Sequence, residues 1–170
     1  GYLLEHREIS RFSFTNVVTL GIKLKEFSKT ENFIKQYADF IAEEYRQNTV
    51  DFNSAKVFFS KEQPQKALKI LLTNEFKDML WNLNAKYMVI KILFEMKDLV
   101  LFANHLKAYK NYVKRKTNIG YHQTYFINVV NALTTLMDVY KKPENFKGFE
   151  FDASTPDIEW FRKALKNIDK

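Results

Sequence analysis

Several residue types that mark particular protein classes are missing or rare in this sequence. There is no cysteine among the 170 residues, which excludes disulfides, thiolate zinc sites and a cysteine nucleophile. A chain without cysteine fits a reducing compartment, so we expect a cytoplasmic location. Four glycines and three prolines are too few for the tight turns of a β-sandwich or barrel. The longest apolar runs, such as Leu99 to Ala103, are far shorter than the ~20 residues that span a bilayer, so we expect no membrane partner.

Motifs that carry catalysis or metal binding are also missing. The histidines His6, His105 and His122 have no partner at metal-ligand spacing, and no HExxH, DxDxDG or glycine-rich phosphate loop occurs. Glu43 and Glu44 are neighbours in sequence, and neighbouring helical residues do not face each other, so they form a poor acid–base pair. The sequence therefore predicts a non-enzyme with no catalytic residue, no metal site and no cofactor.

Apolar residues recur at steps of three and four along the chain, a spacing that predicts an all-α protein. The clearest helix carries Leu80, Leu83, Tyr87, Ile90 and Phe94. Further helices are predicted, in chain order, at about 12–25, at about 30–42, around Phe52 to Phe59 and from Pro64. The clearest helix is the fifth; the sixth runs from Leu99 to Val113, and the seventh ends at about Lys141. Inward positions in the first, second and seventh helices are Val17, Val18, Gly21, Leu24, Phe33, Tyr37, Phe40, Ile41, Phe126, Val129, Leu133, Met137 and Tyr140.

The C-terminal part is predicted to hold an ordered loop and a closing helix. Residues 142–153 contain Phe146, Phe149 and Phe151, which favour packing over solvent. Ser154 and Asp157 resemble a capping box, and a helix with apolar residues at steps of three and four follows to Ile168. We interpret this helix as the cap of a helical stack.

The sequence resembles itself about every 35 residues, a period typical of stacked helix pairs. In this register Phe52 corresponds to Tyr87 and Lys56 corresponds to Lys91. We therefore predict one domain over 1–170, with repeat-like pairs at 12–47, 48–81 and 82–117. Residues 118–170 form the long helix, the loop and the cap. We interpret residues 1–11 as the remnant of a preceding repeat in a longer protein, and expect Tyr2, Leu3, Leu4 and Ile9 to lack a packing partner.

The helix pairs resemble tetratricopeptide repeats (TPR). Gly21 and Ala55 match the small residue of the first helix in that motif, and Ala67 matches that of the second, whereas Phe102 departs from it. The chain also resembles a group of uncharacterised bacterial proteins with a tetratricopeptide-like C-terminal region. The stretches that carry this resemblance are VVTLGIKLKEF (17–27), AEEYRQN (42–48), NLNAKYMVIKILFEM (82–96), YVKRK (112–116) and EWF (159–161). The resemblance implies a right-handed α-α superhelix of stacked antiparallel helix pairs, and no activity.

Such a fold favours a non-enzymatic scaffold for protein–protein interaction, in which a protein or peptide is bound on the repeat surface. Residues four apart share one side of a helix, so the pairs Phe52–Lys56 and Tyr87–Lys91 are candidates for an acidic peptide site. Asn84 lies one turn earlier and is a candidate for bonding the peptide backbone. The alternative interpretation buries both rings between helices and leaves the lysines in solvent.

A second candidate surface is basic. The net charge is +7, and the candidate residues cluster at 107–116: Lys107, Lys110, Lys114, Arg115 and Lys116. One hypothesis is a nucleic-acid-binding helical domain. Another is a solvated helix end whose positive charges favour the helix dipole. A third interpretation of the chain is a purely structural module of a longer protein.

Overall fold

The computed structural model describes residues 8–116, 120 and 122–168. These residues are all-helical, as predicted, and no β-strand occurs among them. The chain divides after Ala85 into two compact units, here called the N-terminal and C-terminal units. The described helices are α1 (Arg11–Lys23), α2 (Phe27–Tyr37), α3 (Glu43–Ser60), α4 (Pro64–Thr73), α5 (Met79–Glu95), α6 (Leu99–Arg115), α7 (His122–Lys141) and α8 (Ile158–Ile168), with short 3₁₀ helices at Ala38–Phe40 and Pro143–Phe146.

Three of the helix-to-helix turns have the same backbone geometry. A residue in the left-handed conformation follows α1, α3 and α5 in turn: Lys25, Glu62 and Lys97, with φ of 58°, 58° and 59°. After each of them, the next N–H donates to a carbonyl five residues back, as in a Schellman motif. These bonds are Glu26 to Gly21 at 2.9 Å, Gln63 to Phe58 at 2.9 Å and Asp98 to Leu93 at 3.0 Å. The recurring turn gives the predicted helix pairs a common local structure.

The N-terminal unit packs its helices through small residues. A methyl group at position 21 would overlap the hydroxyl of Thr30, so Gly21 allows α1 to approach α2. Ala55 and Ala67 are fully buried on α3 and α4, which contact each other. The core beside them consists of Ile9, Phe14, Val18, Ile34, Ile41 and Val57.

Several predictions for side chains of this unit are wrong. Ile9 is buried, and its N–H donates to the carbonyl of Phe40 at 2.7 Å, so it does not lack a partner. Tyr2, Leu3 and Leu4 lie outside the described residues. Leu24 is exposed because it follows α1, where the chain reverses direction. Tyr37 and Phe40 are also exposed, since α2 ends at Tyr37 and the 3₁₀ turn that follows leaves the core.

The C-terminal unit is built around the ring of Phe94. Its centroid lies 5.4 Å from that of Phe102, 5.9 Å from that of Trp160 and 6.4 Å from that of Tyr140. These contacts join α5 to α6, α7 and α8. The predicted burial of Phe126, Val129, Leu133 and Met137 on α7 is confirmed.

Other predictions for this unit need correction. Tyr140 is exposed near the end of α7, although one edge of its ring lies against Phe94. Of the three loop phenylalanines, Phe151 is buried, Phe146 is half-buried and Phe149 is exposed. Each ring contacts the next one along the chain, and the ring of Phe151 also contacts that of Phe161. Asp157 does not cap α8 with its carboxylate, which is directed to α5 instead.

Truncation of Phe94 tests the centre of this core. Phe94→Ala should lower the free energy of unfolding by about 3–5 kcal/mol, because a buried ring leaves a cavity. Chemical denaturation followed by circular dichroism measures the change, and Val100→Ala on the exposed face of α6 serves as the control, expected to stay within about 0.5 kcal/mol. A loss under about 1 kcal/mol for Phe94→Ala contradicts the assigned core.

The left-handed turns give a second prediction. Lys97→Gly should raise the stability by about 0.5–1 kcal/mol, because glycine removes the clash of a side chain at positive φ. Lys107→Gly, in the middle of α6, is the matched control and should lower stability by about 1 kcal/mol. Equal losses for the two variants would show that position 97 is not left-handed. Thermal unfolding of both variants measures the signs.

Candidate functional site

The first predicted ring–lysine pair lies inside the N-terminal unit. Phe52 is only 8% exposed, and its ring centroid lies 4.7 Å from that of Trp81 and 6.2 Å from that of Phe76. The ammonium of Lys56 donates to the hydroxyl of Thr19 at 2.6 Å. Phe52 therefore stabilises the packing of its helix and presents no ring to a peptide.

The second pair, Tyr87 and Lys91, binds a carboxylate of the same chain. Tyr87 is 6% exposed, and its hydroxyl donates to Oδ2 of Asp157 at 3.0 Å. The ammonium of Lys91 forms an ion pair with the same oxygen and lies 5.0 Å from the ring of Trp160. Asn84 donates its amide to the carbonyl of Leu80 at 2.8 Å, one turn back on its own helix.

Both rings are therefore buried, as in the alternative interpretation of these pairs. Phe52 and Tyr87, which the predicted register treats as equivalent, both face the packed interior. The sequence assigned Asp157 to a capping box and missed its pairing with Lys91, which lies 66 residues away.

We call Tyr87, Lys91 and Asp157 the α5–α8 latch, because they join the start of α8 to α5. Trp160 adds a hydrogen bond from its indole N–H to Glu95 at 2.8 Å. Burial, followed by the Asp157 carboxylate, raises the pKa of the Tyr87 phenol well above its usual value. Since a raised pKa favours the neutral phenol in the folded state, the stability from Tyr87 is complete below pH ~10 and falls as the pH rises further.

The basic residues predicted on α6 are exposed, in contrast to the aromatic pairs. Lys107, Lys110, Lys114 and Arg115 are in solvent, whereas Lys116 is half-buried. Steps of four and three place Val100, Asn104, Lys107, Asn111 and Lys114 on one face, which we call the α6 outer line. Val100 is 73% exposed, although it is aliphatic. The sequence contained this pattern, but only its lysines were identified as candidates.

The charge of the α6 outer line and of the adjacent Lys110 is not neutralised locally. Helix α6 contains no acidic residue. Among residues 8–116, 120 and 122–168, no carboxylate lies within ion-pair distance of Lys107, Lys110 or Lys114. An anionic partner would therefore not have to displace an internal ion pair of these lysines.

More positive charge lies beside the α6 outer line in the C-terminal unit. The ammonium groups of Lys86 and Lys116 lie 5.6 Å and 5.3 Å from the ring centroid of Tyr112. Burial, followed by the nearby Lys86, lowers the pKa of His105, which favours its neutral form. The positive potential of this region thus comes from lysine and arginine, and it changes little around neutral pH.

Within the described part of the chain, no group of three or more histidine, aspartate or glutamate side chains is placed to hold a metal ion. No helix there has the length and apolar character needed to cross a membrane. Comparisons of the chain with protein-family models, curated proteins and solved structures found no match. The function is therefore inferred from the geometry of the described residues.

Removal of the shared carboxylate tests the latch. Asp157→Asn should lower the free energy of unfolding by about 1–3 kcal/mol, because Lys91, whose side chain is 16% exposed, loses its ion-pair partner. Asparagine tolerates the left-handed backbone of this position, with φ of 54°. Denaturant titration measures the loss, and Asp152→Asn in solvent is the control.

The double variant Asp157→Asn with Lys91→Met separates the two contributions. It should be more stable than Asp157→Asn alone, because methionine removes a poorly exposed charge that has lost the Asp157 carboxylate. A double variant that is less stable than Asp157→Asn would show that Lys91 contributes mainly through its contacts with the neighbouring rings.

Proposed function

We propose that this protein is a non-enzymatic scaffold that binds an acidic protein segment along the α6 outer line. The single observation that supports the proposal is the exposed face of α6, which is apolar at its first turn and basic at its end. We further propose that the helix pairs form a TPR-like right-handed superhelix. The three matching turns at Lys25, Glu62 and Lys97 support that architecture.

The order of side chains along this face defines the partner. Val100 and Leu101 are exposed at the beginning of α6, and Lys107, Lys114 and Arg115 are exposed in its second half. Seven helical residues rise ~10 Å, so an apolar contact at Val100 lies about that far from the first lysine. The complementary segment has an aliphatic side chain followed by carboxylates at a similar distance.

Asparagine side chains lie between the apolar and basic groups. Asn104 and Asn111 are exposed, and each offers an amide donor and acceptor. They can bond polar backbone or side-chain groups of a segment that lies along the helix. The face therefore combines apolar burial, amide hydrogen bonds and ion pairs, three interactions that a protein segment supplies together.

The same face fits nucleic acid less well. Exposed Val100 and Leu101 have no counterpart in a phosphate backbone. Tyr109 is buried and provides no ring on which a base could stack. Nucleic acid would use only the lysines and Arg115, so it remains the alternative that the experiment must distinguish.

Defined probes test this proposal. One labelled peptide of about 18 residues carries leucine followed by a run of glutamates, a second has serine in place of leucine, and a third probe is a single-stranded oligonucleotide. We expect the leucine peptide to bind most tightly, and Val100→Ser to weaken it by about fivefold to tenfold through lost apolar burial. Fluorescence anisotropy at several salt concentrations measures all three affinities.

Charge reversal supplies the matched control. Lys107→Glu, Lys110→Glu and Lys114→Glu together should weaken the leucine peptide at least ~30-fold. Lys141→Glu, Lys142→Glu and Lys147→Glu change the net charge equally and should leave binding within about twofold. Tighter binding of the oligonucleotide, with no effect of Val100→Ser, would instead support the nucleic-acid alternative. Equal losses of peptide affinity in the two triple variants would show that only the net charge of the protein matters, and would overturn the proposed site.

A further inference from the structure

A groove lies between α2 and α3 in the N-terminal unit, away from α6 in sequence. It encloses a cavity of about 350 Å³. Ile34 and Val57, which belong to the core, line it together with Val50. Its volume lies at the lower end of the ~300–1,000 Å³ range of small-molecule sites. The groove is therefore the size of a small ligand.

Small side chains leave this space open. Ala38 follows α2, and Ser54 lies in the middle of α3; both line the groove. Neither side chain is long enough to fill the gap between the helices. The apolar residues behind them are fixed by the core, so the groove is formed without a ligand.

The polar groups of the groove favour a negative charge. The carboxylate of Glu31 is paired with the ammonium of Lys61 at 2.8 Å, which offsets its charge. Lys35 also lines the groove, and no carboxylate of the described residues lies within ion-pair distance of it. One positive charge thus remains uncompensated beside the apolar wall.

A hydrogen-bond donor is present as well. The hydroxyl of Ser54 makes no hydrogen bond to another residue in the described part of the chain. A hydroxyl can donate to a carboxylate oxygen, and such charge-assisted bonds are among the stronger ones. Lys35 and Ser54 stand on opposite helices of the groove, so both sides offer a polar group.

We propose that the groove binds a small monocarboxylic acid with an aliphatic or aromatic body. The body contacts Ile34, Val50 and Val57, and the carboxylate pairs with Lys35. A phosphate dianion fits less well, because one cation beside an apolar wall does not offset the desolvation of two charges. A peptide helix needs a longer groove. This site is independent of the α6 outer line and of the function proposed for it.

Three probes with the same chain length test the charge preference. Octanoate, 1-octanol and octylammonium are titrated into the whole protein, each below its aggregation limit, and binding is followed by amide chemical shifts. We expect saturable binding in the order octanoate, octanol, octylammonium, with shifts at residues of α2 and α3. Equal affinity for octanoate and octanol, or no saturable binding, would overturn the proposal.

Variants locate the site. Lys35→Gln should weaken octanoate about fivefold to tenfold and leave octanol unchanged, because only the ion pair is lost. Lys69→Gln on α4 is the exposed control and should change neither affinity. Undiminished octanoate binding by Lys35→Gln would overturn the assigned role of this lysine.

A space-filling variant gives the second readout. Ser54→Phe should abolish binding of octanoate and octanol while the melting temperature stays within a few degrees. If this variant does not fold, Ala38→Leu fills the groove from the other helix. Saturable binding that persists in a folded, filled variant would place the ligand elsewhere and overturn the proposal.

Discussion

The left-handed turn that ends α1, α3 and α5 is the constraint on which the other features depend. At Lys25, Glu62 and Lys97 the left-handed backbone turns the chain within a few residues, and the N–H of the following residue closes the turn with a Schellman hydrogen bond. Because the reversal is short, the face of each second helix that meets the first is fixed by the turn. On α6, the turn at Lys97 directs Phe102 to the ring of Phe94 and leaves Val100 and Lys107 in solvent.

The residues that pack the interior of this chain therefore differ in type from those available to bind a partner. Aromatic residues supply the interior, where ring contacts around Phe52 and Phe94 hold helices together. Charged residues supply the surfaces, where lysines on α6 and Lys35 on α2 have no carboxylate partner among the described residues. Lys91 departs from this separation, since it lies near two rings and pairs with Asp157.

The periodicity of the sequence was sufficient to predict the helices and most of the core. Pro64 marked the start of α4, and the steps of three and four located α5, α6 and α7 within a few residues. Leu24, Tyr37, Phe40 and Tyr140 were placed wrongly because they lie near or beyond helix ends. There the chain changes direction, and helical spacing no longer tells which side faces the core.

The candidate sites were harder to predict than the helices. The register identified Phe52 and Tyr87 as equivalent, but equivalence does not distinguish an inner face from an open one. The left-handed turns use lysine and glutamate, so no glycine signalled them. The α6 lysines were found because charge on an exposed helix face is visible in the sequence itself. The groove between α2 and α3 depends on the separation of two helices, which no local pattern records.

The distance along the chain between Lys91 and Asp157 has a consequence for biosynthesis. At ~5–20 residues per second, a ribosome needs about 3–13 seconds to add the 66 residues between them. During that interval α5 has left or is leaving the exit tunnel with neither its counterion nor the Trp160 ring. Until α8 packs against α5, the apolar and positively charged face around Tyr87 and Lys91 therefore lacks the carboxylate and the ring that contact it in the folded chain.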